Sequence, residues 1–254
     1  MSLAISSIRQ ALSEPTELDP YLVDVAKRNS THGFLGRATQ GCYIRMVRLL
    51  ASYFTTQNRD LSTVRVLDWG TGKGHISYLL KQAGFDVVSC DIAENEHDST
   101  FGQDTPIVEE CGIEVIPLTH PWRLPFATGG FDLVVSFGVL EHVQDDQASL
   151  GEIRRIMRDG GIFFFSFLPY WLSWSQKVAH WRGNWYHDRL YARKEIMEKG
   201  RVAGFHGGLV WHGQLFPKNS IPHNNLMERV DRWATWFTPF KYLATNLEGF
   251  LFAE

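Results

Sequence analysis

The chain has 254 residues, of which 44% are hydrophobic and 21% are charged, and its formal net charge is −3. This length and ordinary composition predict one globular α/β unit with a single large core. The slightly acidic balance argues against a nucleic-acid-binding protein, because affinity for a phosphate backbone depends on clustered basic side chains. The densest basic cluster is Arg154, Arg155 and Arg158, and a solvated face of one predicted helix accounts for it.

Cysteine content and the N-terminus set expectations about the compartment. Cys42, Cys90 and Cys111 are an odd, scattered set, which predicts neither a disulfide framework nor a metal-binding motif. The first ten residues have no apolar run of the signal-peptide kind, and no stretch reaches the length of a membrane span. We therefore expect a cytoplasmic protein.

The chain divides by its hydrophobic pattern into a helical part and a sheet part. Residues 1–62 have a helical pattern, with apolar side chains at helical spacing at Tyr43, Met46, Val47, Leu50 and Phe54. We predict strands at Val64–Asp68, Asp86–Asp91, Ile113–Leu118, Phe131–Phe137, Gly161–Leu168, Gly208–Gly213 and Leu247–Ala253. Between them, His75–Ala83 and Asp146–Met157 are predicted helices. Strands that alternate with helices imply a parallel sheet, and their nearly continuous apolar runs predict cover on both faces.

This pattern predicts the domain organisation. We expect an N-terminal helical cap over residues 1–62 and a sheet domain over residues 63–254. An aromatic insertion, about residues 171–205, lies between the fifth and sixth predicted strands.

The segment 64–74 is the most informative, because a strand runs into Asp-x-Gly-x-Gly-x-Gly and then into a helix. Its glycines, Gly70, Gly72 and Gly74, allow a tight turn and a close approach of a ligand to the backbone, where exposed amides favour an anion. A dinucleotide site would have a further glycine where His75 stands. The loop favours S-adenosylmethionine instead, since this ligand has a carboxylate in place of a pyrophosphate and an ammonium that Asp68 would attract. The alternative is a tight turn without a ligand.

The second predicted strand ends in an acid, Asp91. An aspartate at this distance beyond the glycine loop can accept hydrogen bonds from both hydroxyls of a ribose. The alternative is a helix N-cap. The order of strand, loop, helix and acid favours the ribose role.

Two later segments complete a resemblance to a known family. Residues 124–135 read Leu-Pro-Phe-Ala-Thr-Gly-Gly-Phe-Asp-Leu-Val-Val, and residues 138–143 read Gly-Val-Leu-Glu-His-Val, followed by a predicted helix and a glycine pair at 160–161. With the glycine loop and Asp91, they resemble class I S-adenosylmethionine-dependent methyltransferases, in particular the type-11 methyltransferase domain, over about residues 63–168. The resemblance implies an α/β fold, a Rossmann-like seven-stranded and mostly parallel sheet with helices on both faces and an antiparallel last strand. It also implies S-adenosyl-L-methionine as the cofactor, bound across the carboxyl ends of the strands.

The residues for which the resemblance implies contact with this cofactor are Asp68, Gly70, Thr71, Gly72, Gly74, Asp91, Ile92, His120, Trp122, Phe137 and Gly138. Two positions depart from the family pattern. His120 stands where an acid usually contacts adenine, and Trp122 could stack on adenine instead. Asp159 replaces a usual proline before the glycine pair, in a loop where we expect no chemical consequence.

Candidate acceptor-site residues follow the fourth strand and lie in the insertion. His142 is the candidate general base, and a structural histidine is the alternative. Glu141 and His142 could contribute to a metal site, but Gly138 supplies no acidic partner, so we expect no metal. His187, Arg189 and Tyr191 are candidate substrate contacts, with the start of a surface helix as the alternative.

The aromatic segment from Met227 to Tyr242 is interpreted as core or lid, or as a patch that makes weak contact with a membrane surface. The predicted function is methyl transfer to a small-molecule, glycan or lipid-linked acceptor, for example a prenylated quinol or another amphiphile. The alternatives are a non-catalytic methyltransferase-like binding module and a nucleotide-dependent oxidoreductase or epimerase. His75 and the absence of a Tyr-x-x-x-Lys pair argue against the last. The acceptor atom and the oligomeric state stay open.

Overall fold

The structure, a computed structural model, describes residues 5–28, 37–92, 106–183, 187, 189–216, 225–237 and 239–253. The helices of this part are α1 (Ile5–Ser13), α2 (Pro20–Arg28), α3 (Arg37–Thr55), α4 (His75–Gln82), α5 (Pro106–Glu110), α6 (Asp146–Ile156), α7 (Trp174–Trp181), α8 (Arg193–Val202) and α9 (Asn225–Phe237). The strands are β1 (Arg65–Trp69), β2 (Asp86–Ile92), β3 (Val115–Leu118), β4 (Phe131–Phe137), β5 (Met157–Pro169), β6 (Gly207–His212) and β7 (Asn246–Ala253). Short 3-10 helices lie at Leu61–Thr63 and Pro239–Leu243.

The strands form one seven-stranded sheet in the order β3-β2-β1-β4-β5-β7-β6. The first five strands pair in parallel, and β7 is antiparallel to both of its neighbours, β5 and β6. The predicted Rossmann-like, mostly parallel sheet with an antiparallel last strand is therefore confirmed. β4 has the predicted bounds.

The beginning of β5 differs from the prediction. The strand begins at Met157, not at Gly161, because Met157 pairs with Phe131 before a register shift restores the regular ladder at Ile162. Arg158 consequently lies in β5, whereas the sequence pattern placed it on a helix. β3 tolerates Pro117 because it is an edge strand. The amide hydrogen that proline lacks is therefore not needed for pairing with a strand on the outer side.

Helices cover both faces of the sheet. On one face α3 and α4 pack on the strands, and the predicted apolar residues Tyr43, Met46, Val47, Leu50 and Phe54 are all buried there. Leu150 and Ile153 of α6 and Ile196 of α8 are buried on the other face. The helical segment at the N-terminus thus shares one core with the sheet.

The segment between β5 and β6 contains α7 and α8. α8 packs closely on β7, because Gly200 leaves so little room that a Cβ would lie 2.8 Å from Leu251 Cδ1. Tyr170 and Tyr191 form an isolated bridge that closes the loop between these elements. The second half of the aromatic insertion, which contains α8, therefore packs on the sheet.

The basic cluster of the sequence is neutralised by acids. Arg154 pairs with Asp159 at 2.8 Å, Arg155 with Glu152 at 2.7 Å, and Arg158 with Asp132 at 3.0 Å. Each of the three arginines is thus paired with an acid, although Arg158 shares Asp132 with Arg59 at 3.1 Å.

Two further observations concern cysteines and membrane spans. Cys42 and Cys90 are buried, Cys111 is partly exposed, and none of the three is in a disulfide. Across the described ranges, no helix combines the length and the apolar character that crossing a bilayer would take.

Candidate functional site

The carboxyl ends of four adjacent parallel strands, β3, β2, β1 and β4, form one edge of the sheet. The strand order reverses between β1 and β4, and ligands of open α/β sheets bind beyond the carboxyl ends at such a point. The segments that follow these strands contain the residues predicted for the cofactor: 68–74 after β1, 91–92 after β2, 120–122 after β3 and 137–138 after β4.

The loop after β1 has the backbone that its glycines predict. Gly70 has φ +80°, and a Cβ there would overlap the side chain of Val139. Gly72 has φ +51°, and no heavy atom of the described part of the chain lies within 4 Å of the position of its Cβ. The backbone at Gly72 is thus open to a ligand, whereas the backbone at Gly70 is closed by packing. Thr71 is buried, and its hydroxyl lies 3.2 Å from the carbonyl oxygen of Asp68, so it shapes the loop from inside.

Asp91 joins the end of β2 to this loop. Its Oδ2 accepts a hydrogen bond from the amide of Gly72 at 2.5 Å, and its Oδ1 accepts one from the amide of Ile92 at 2.7 Å. Burial raises the pKa of Asp91, and these two amides act in the opposite direction. Each carboxylate oxygen has a second lone pair, so the side chain can still accept ribose hydroxyls. The helix that Asp91 could cap, in the alternative interpretation, would fall outside the described residues, and Ile92 is 56% exposed beside it.

Asp68, which we predict to attract the ammonium of the cofactor directly or through water, is buried beneath the glycine loop. It is 1% exposed, and its Oδ2 accepts a hydrogen bond of 2.6 Å from the hydroxyl of Ser77, which also lies 2.7 Å from the hydroxyl of Ser89. The carboxyl group therefore lies beneath the loop and has no surface for direct contact with an ammonium. Burial raises the pKa of Asp68 to about 7.

This raised pKa predicts a pH-dependent stability. The native state keeps the proton of Asp68 up to about pH 7, whereas the unfolded chain releases it near pH 4. Folded protein then binds more protons than unfolded protein between these values, so the contribution to stability is present at low pH and is lost as pH rises through 7. We expect Asp68→Asn to gain stability relative to the wild type at pH 8 but not at pH 5, as measured by urea unfolding.

Asp86→Asn is the matched control, because Asp86 is the exposed first residue of the neighbouring strand β2. An equal effect of Asp68→Asn at both pH values would show that Asp68 is ionised in the native state throughout.

His120 and Trp122 shape the loop after β3. His120 Nδ1 accepts hydrogen bonds from the amides of Trp122 at 3.3 Å and Arg123 at 3.0 Å. The two rings lie edge to face, with centroids 4.8 Å apart. Trp122 is partly buried, so one part of its indole is available to a ligand at this edge.

The residues at the end of β4 lie where we expect the methyl acceptor to bind. Phe137 packs against the ring of Tyr43 at 6.0 Å, and the amide of Gly138 bonds to the carbonyl of Ser166 on β5 at 3.0 Å. A Cβ at Gly138 would lie 3.6 Å from Glu141 Oε1, so the missing side chain leaves space beside a carboxylate.

Glu141, His142 and His187 come together at this end of β4. His142 Nε2 lies 3.9 Å from Glu141 Oε1, and the imidazole centroids of His142 and His187 are 5.4 Å apart. One ligand atom from each of the three side chains lies within 4.8 Å of the others. The sequence offers no acidic ligand at Gly138, and His187 was not predicted as a third ligand. No local signal could have placed it, because the contact joins residues that are far apart in the sequence.

Arg189 and Tyr191 both contact other parts of the protein, and substrate contact by Arg189 stays a prediction. The Arg189 guanidinium donates to the carbonyl of Val143 at 2.8 Å. Tyr191 is fully buried, and its hydroxyl lies 3.1 Å from the carbonyl oxygen of Leu140 and 2.9 Å from Asp146 Oδ2. This corrects the prediction of direct substrate contact for Tyr191, because its hydroxyl is not accessible.

An aromatic cluster that the sequence analysis did not single out lies further along the same edge. Tyr170, at the end of β5, packs against His212 at 4.9 Å, and His212 packs against Tyr242 at 5.9 Å. Burial lowers the pKa of His212 to about 4, so the ring is neutral near pH 7. The cluster adds an apolar wall to the carboxyl edge.

Comparison with known proteins gives a family and a fold. A model of a family described as a methyltransferase domain matches residues 28–200. A ubiquinone biosynthesis O-methyltransferase from Aromatoleum aromaticum is 32% identical over 113 residues, which are 43% of this chain and 46% of that protein. A demethylmenaquinone methyltransferase from Beutenbergia cavernae is 38% identical over 98 residues, 38% of each chain. The chain thus spans about half the length, or less, of these curated relatives.

Solved structures share the fold at low sequence identity. A methyltransferase from Thermotoga maritima matches with a TM-score of 0.56 at 14% identity, over 92% of this chain and 99% of that chain. A phosphoethanolamine N-methyltransferase from Haemonchus contortus, solved with S-adenosyl-L-methionine, matches with a TM-score of 0.55 at 15% identity, over 97% and 60%.

Proposed function

This chain belongs to the methyltransferase-domain family, and from that premise we propose that it transfers a methyl group from S-adenosylmethionine to a hydroxyl of an amphiphilic phenol or quinol. The observation that supports S-adenosylmethionine as the cofactor is the open backbone at Gly72, whose amide lies 2.5 Å from the Asp91 carboxylate. The open side of the loop at Gly72 lets a ligand approach the backbone closely, and the Asp91 carboxylate, which the Gly72 amide already orients, suits the ribose of the cofactor.

The residues of this chain act mainly by orienting the acceptor relative to the cofactor. When bound, S-adenosylmethionine supplies a methyl group that its sulfonium already activates. The protein aligns the acceptor with that methyl and excludes water, which is the main source of rate in such a displacement. The aromatic wall of Tyr170, His212 and Tyr242 would exclude water on the acceptor side.

The acceptor hydroxyl must lose a proton, and His142 is the proposed group that takes it. The imidazole is half exposed at the end of β4, and the buried carboxylate of Glu141 lies 3.9 Å from Nε2. A nearby carboxylate stabilises the imidazolium that forms. Thus the pair can hold a proton at Nε2.

An exposed apolar surface supports an amphiphilic acceptor. We call it the apolar rim; its residues are Leu226, Met227, Val230 and Trp233 on α9, and Phe240 and Leu243 in the 3-10 helix that follows. Since β7 is antiparallel, this 3-10 helix precedes β7 at the carboxyl edge, where the amide of Tyr170 bonds to the carbonyl of Thr245. The 3-10 helix of the rim therefore lies on the same edge of the sheet as the proposed acceptor site, and weak contact with a membrane surface stays a prediction.

The relatives favour the same acceptor class. The two curated relatives are named for ubiquinone biosynthesis and for demethylmenaquinone, whose quinols are amphiphilic phenols. One of the two names specifies O-methylation.

The test measures S-adenosylhomocysteine release with catechols that carry short or long alkyl tails. We expect a higher kcat/KM for long tails, and we expect Trp233→Gln to lower it about tenfold for these alone, because buried methylenes contribute about 0.8 kcal/mol each. Val202→Gln is the matched control, since Val202 is 59% exposed on α8, on the opposite face of the sheet.

Each alternative function has its own outcome. If the protein binds S-adenosylhomocysteine but forms none from S-adenosylmethionine with any acceptor, a non-catalytic binding module would be favoured. Equal rates for short and long tails would contradict the amphiphilic acceptor, and binding of NADH in place of S-adenosylhomocysteine would favour an oxidoreductase.

A further inference from the structure

We propose that Glu141, His142 and His187 bind a divalent transition-metal cation of the Zn²⁺ class. The three side chains come from two separate segments, the turn after β4 and the segment after α7. Their ligand atoms converge to within 4.8 Å of one another.

The geometry requires a contraction of up to about 1.5 Å, from ligand atoms that lie within 4.8 Å of one another to the spacing of a tetrahedral site. Zn²⁺ binds imidazole nitrogen and carboxylate oxygen at about 2.0–2.2 Å, which places tetrahedral ligand atoms about 3.3 Å apart. Glu141 Oε1 and His142 Nε2 are already 3.9 Å apart. The side chain of His142 is 51% exposed, so its ring can turn toward the other two without repacking the core.

Charge and ligand type favour a transition metal. The side chain of Glu141 is only 3% exposed, and a bound cation compensates the cost of burying a carboxylate. Two imidazoles with one carboxylate suit Zn²⁺, Fe²⁺ or Ni²⁺, whereas Mg²⁺ and Ca²⁺ prefer sites made of oxygen atoms. Three protein ligands leave at least one coordination position for water or a substrate.

Neighbouring residues fix both segments of the site. Arg189 donates to the carbonyl of Val143 at 2.8 Å, and the Tyr191 hydroxyl lies 3.1 Å from the carbonyl oxygen of Leu140. The segment that carries His187 is thus anchored directly to the turn that carries Glu141 and His142. Such supporting contacts orient metal ligands and raise affinity.

The position of the site suggests its role, and this step rests on the proposed function. The space left by Gly138, 3.6 Å from Glu141 Oε1, adjoins the carboxyl end of β4, where the acceptor is expected. With a cation bound, His142 would be a ligand and would not serve as the base described under the proposed function. The cation would instead favour the ionised form of an acceptor hydroxyl, whose proton would pass to solvent.

The test is titration of the full-length, chelator-treated protein with Co²⁺, followed by visible absorption, without acceptor or cofactor. We expect one Co²⁺ per chain, displacement by Zn²⁺ and none by Mg²⁺. His187→Ala and Glu141→Gln should each weaken binding at least about tenfold. His206→Ala is the matched control, since His206 is exposed and lies before β6.

Binding of S-adenosylhomocysteine to each variant checks that the fold is intact. Absence of a Co²⁺ spectrum, or wild-type affinity in folded His187→Ala, would overturn the site. Because metal binding is measured alone, a metal site without methyl transfer to any phenol would contradict only the proposed function. Methyl transfer by a protein that binds no Co²⁺ would contradict only the metal site.

Discussion

Asp91→Ala should weaken the binding of S-adenosylhomocysteine by about 30- to 100-fold, which corresponds to about 2–3 kcal/mol for hydrogen bonds to a charged group. The carboxylate is already fixed by the amides of Gly72 and Ile92, so the ligand meets an oriented acceptor. Removing it costs the ribose contacts and also releases the amide at Gly72 that holds the loop in place. Titration calorimetry with the purified protein measures this loss.

Asp86→Ala is the matched control, because Asp86 lies at the exposed start of the same strand. Thermal unfolding of both variants separates a loss of binding from a loss of fold. A dissociation constant for Asp91→Ala within threefold of the wild type would remove Asp91 from the cofactor site.

The sequence predicted the sheet well because the signal for each strand is local. A strand covered on both faces is a nearly continuous apolar run, and β4 has apolar side chains at five of its seven positions with a glycine on either side. The signal for the glycine loop is equally local, since a positive φ at Gly70 and Gly72 favours residues without a Cβ.

The features that sequence analysis missed depend on contacts between distant segments. Met157 joins β5 because of its pairing with Phe131, which no pattern within residues 157–161 reveals. His187 meets Glu141 because Arg189 and Tyr191 hold its segment against the turn after β4. Both side chains were predicted to contact the substrate because polar residues in an insertion commonly do so. The Tyr191 hydroxyl is instead buried against the Leu140 carbonyl and the Asp146 carboxylate, whereas substrate contact by Arg189 stays a prediction.

The exposure of the apolar rim depends on buried contacts of α9, which a local sequence pattern does not reveal. α9 turns Arg232 and Thr235 inward and leaves Leu226, Val230 and Trp233 exposed. Arg45 of α3 pairs with Glu228 beneath the helix. The buried side of α9 thus combines charged residues with Ala234 and Trp236, while several of its apolar residues face solvent.

Arg232→Met should lower the free energy of unfolding by about 3–5 kcal/mol, because it leaves the buried carboxylate of Glu248 without its cation. Arg232 Nη1 lies 3.0 Å from Glu248 Oε2, and Glu248 is 0% exposed in the middle of the sheet. The indole of Trp211 donates to the same carboxylate oxygen at 2.8 Å, and one neutral donor cannot replace a cation. Urea unfolding measures the loss.

Arg229→Met is the matched control, since Arg229 is exposed on the same helix and should change stability by less than about 0.5 kcal/mol. The double variant Arg232→Met with Glu248→Gln should recover part of the loss, because it removes the uncompensated charge and keeps a hydrogen-bond partner for Trp211. If the double variant is no more stable than Arg232→Met, the cost comes from lost packing of the arginine and not from the charge of Glu248. A recovery would show that this ion pair anchors α9, and with it the surface that we propose for the acceptor.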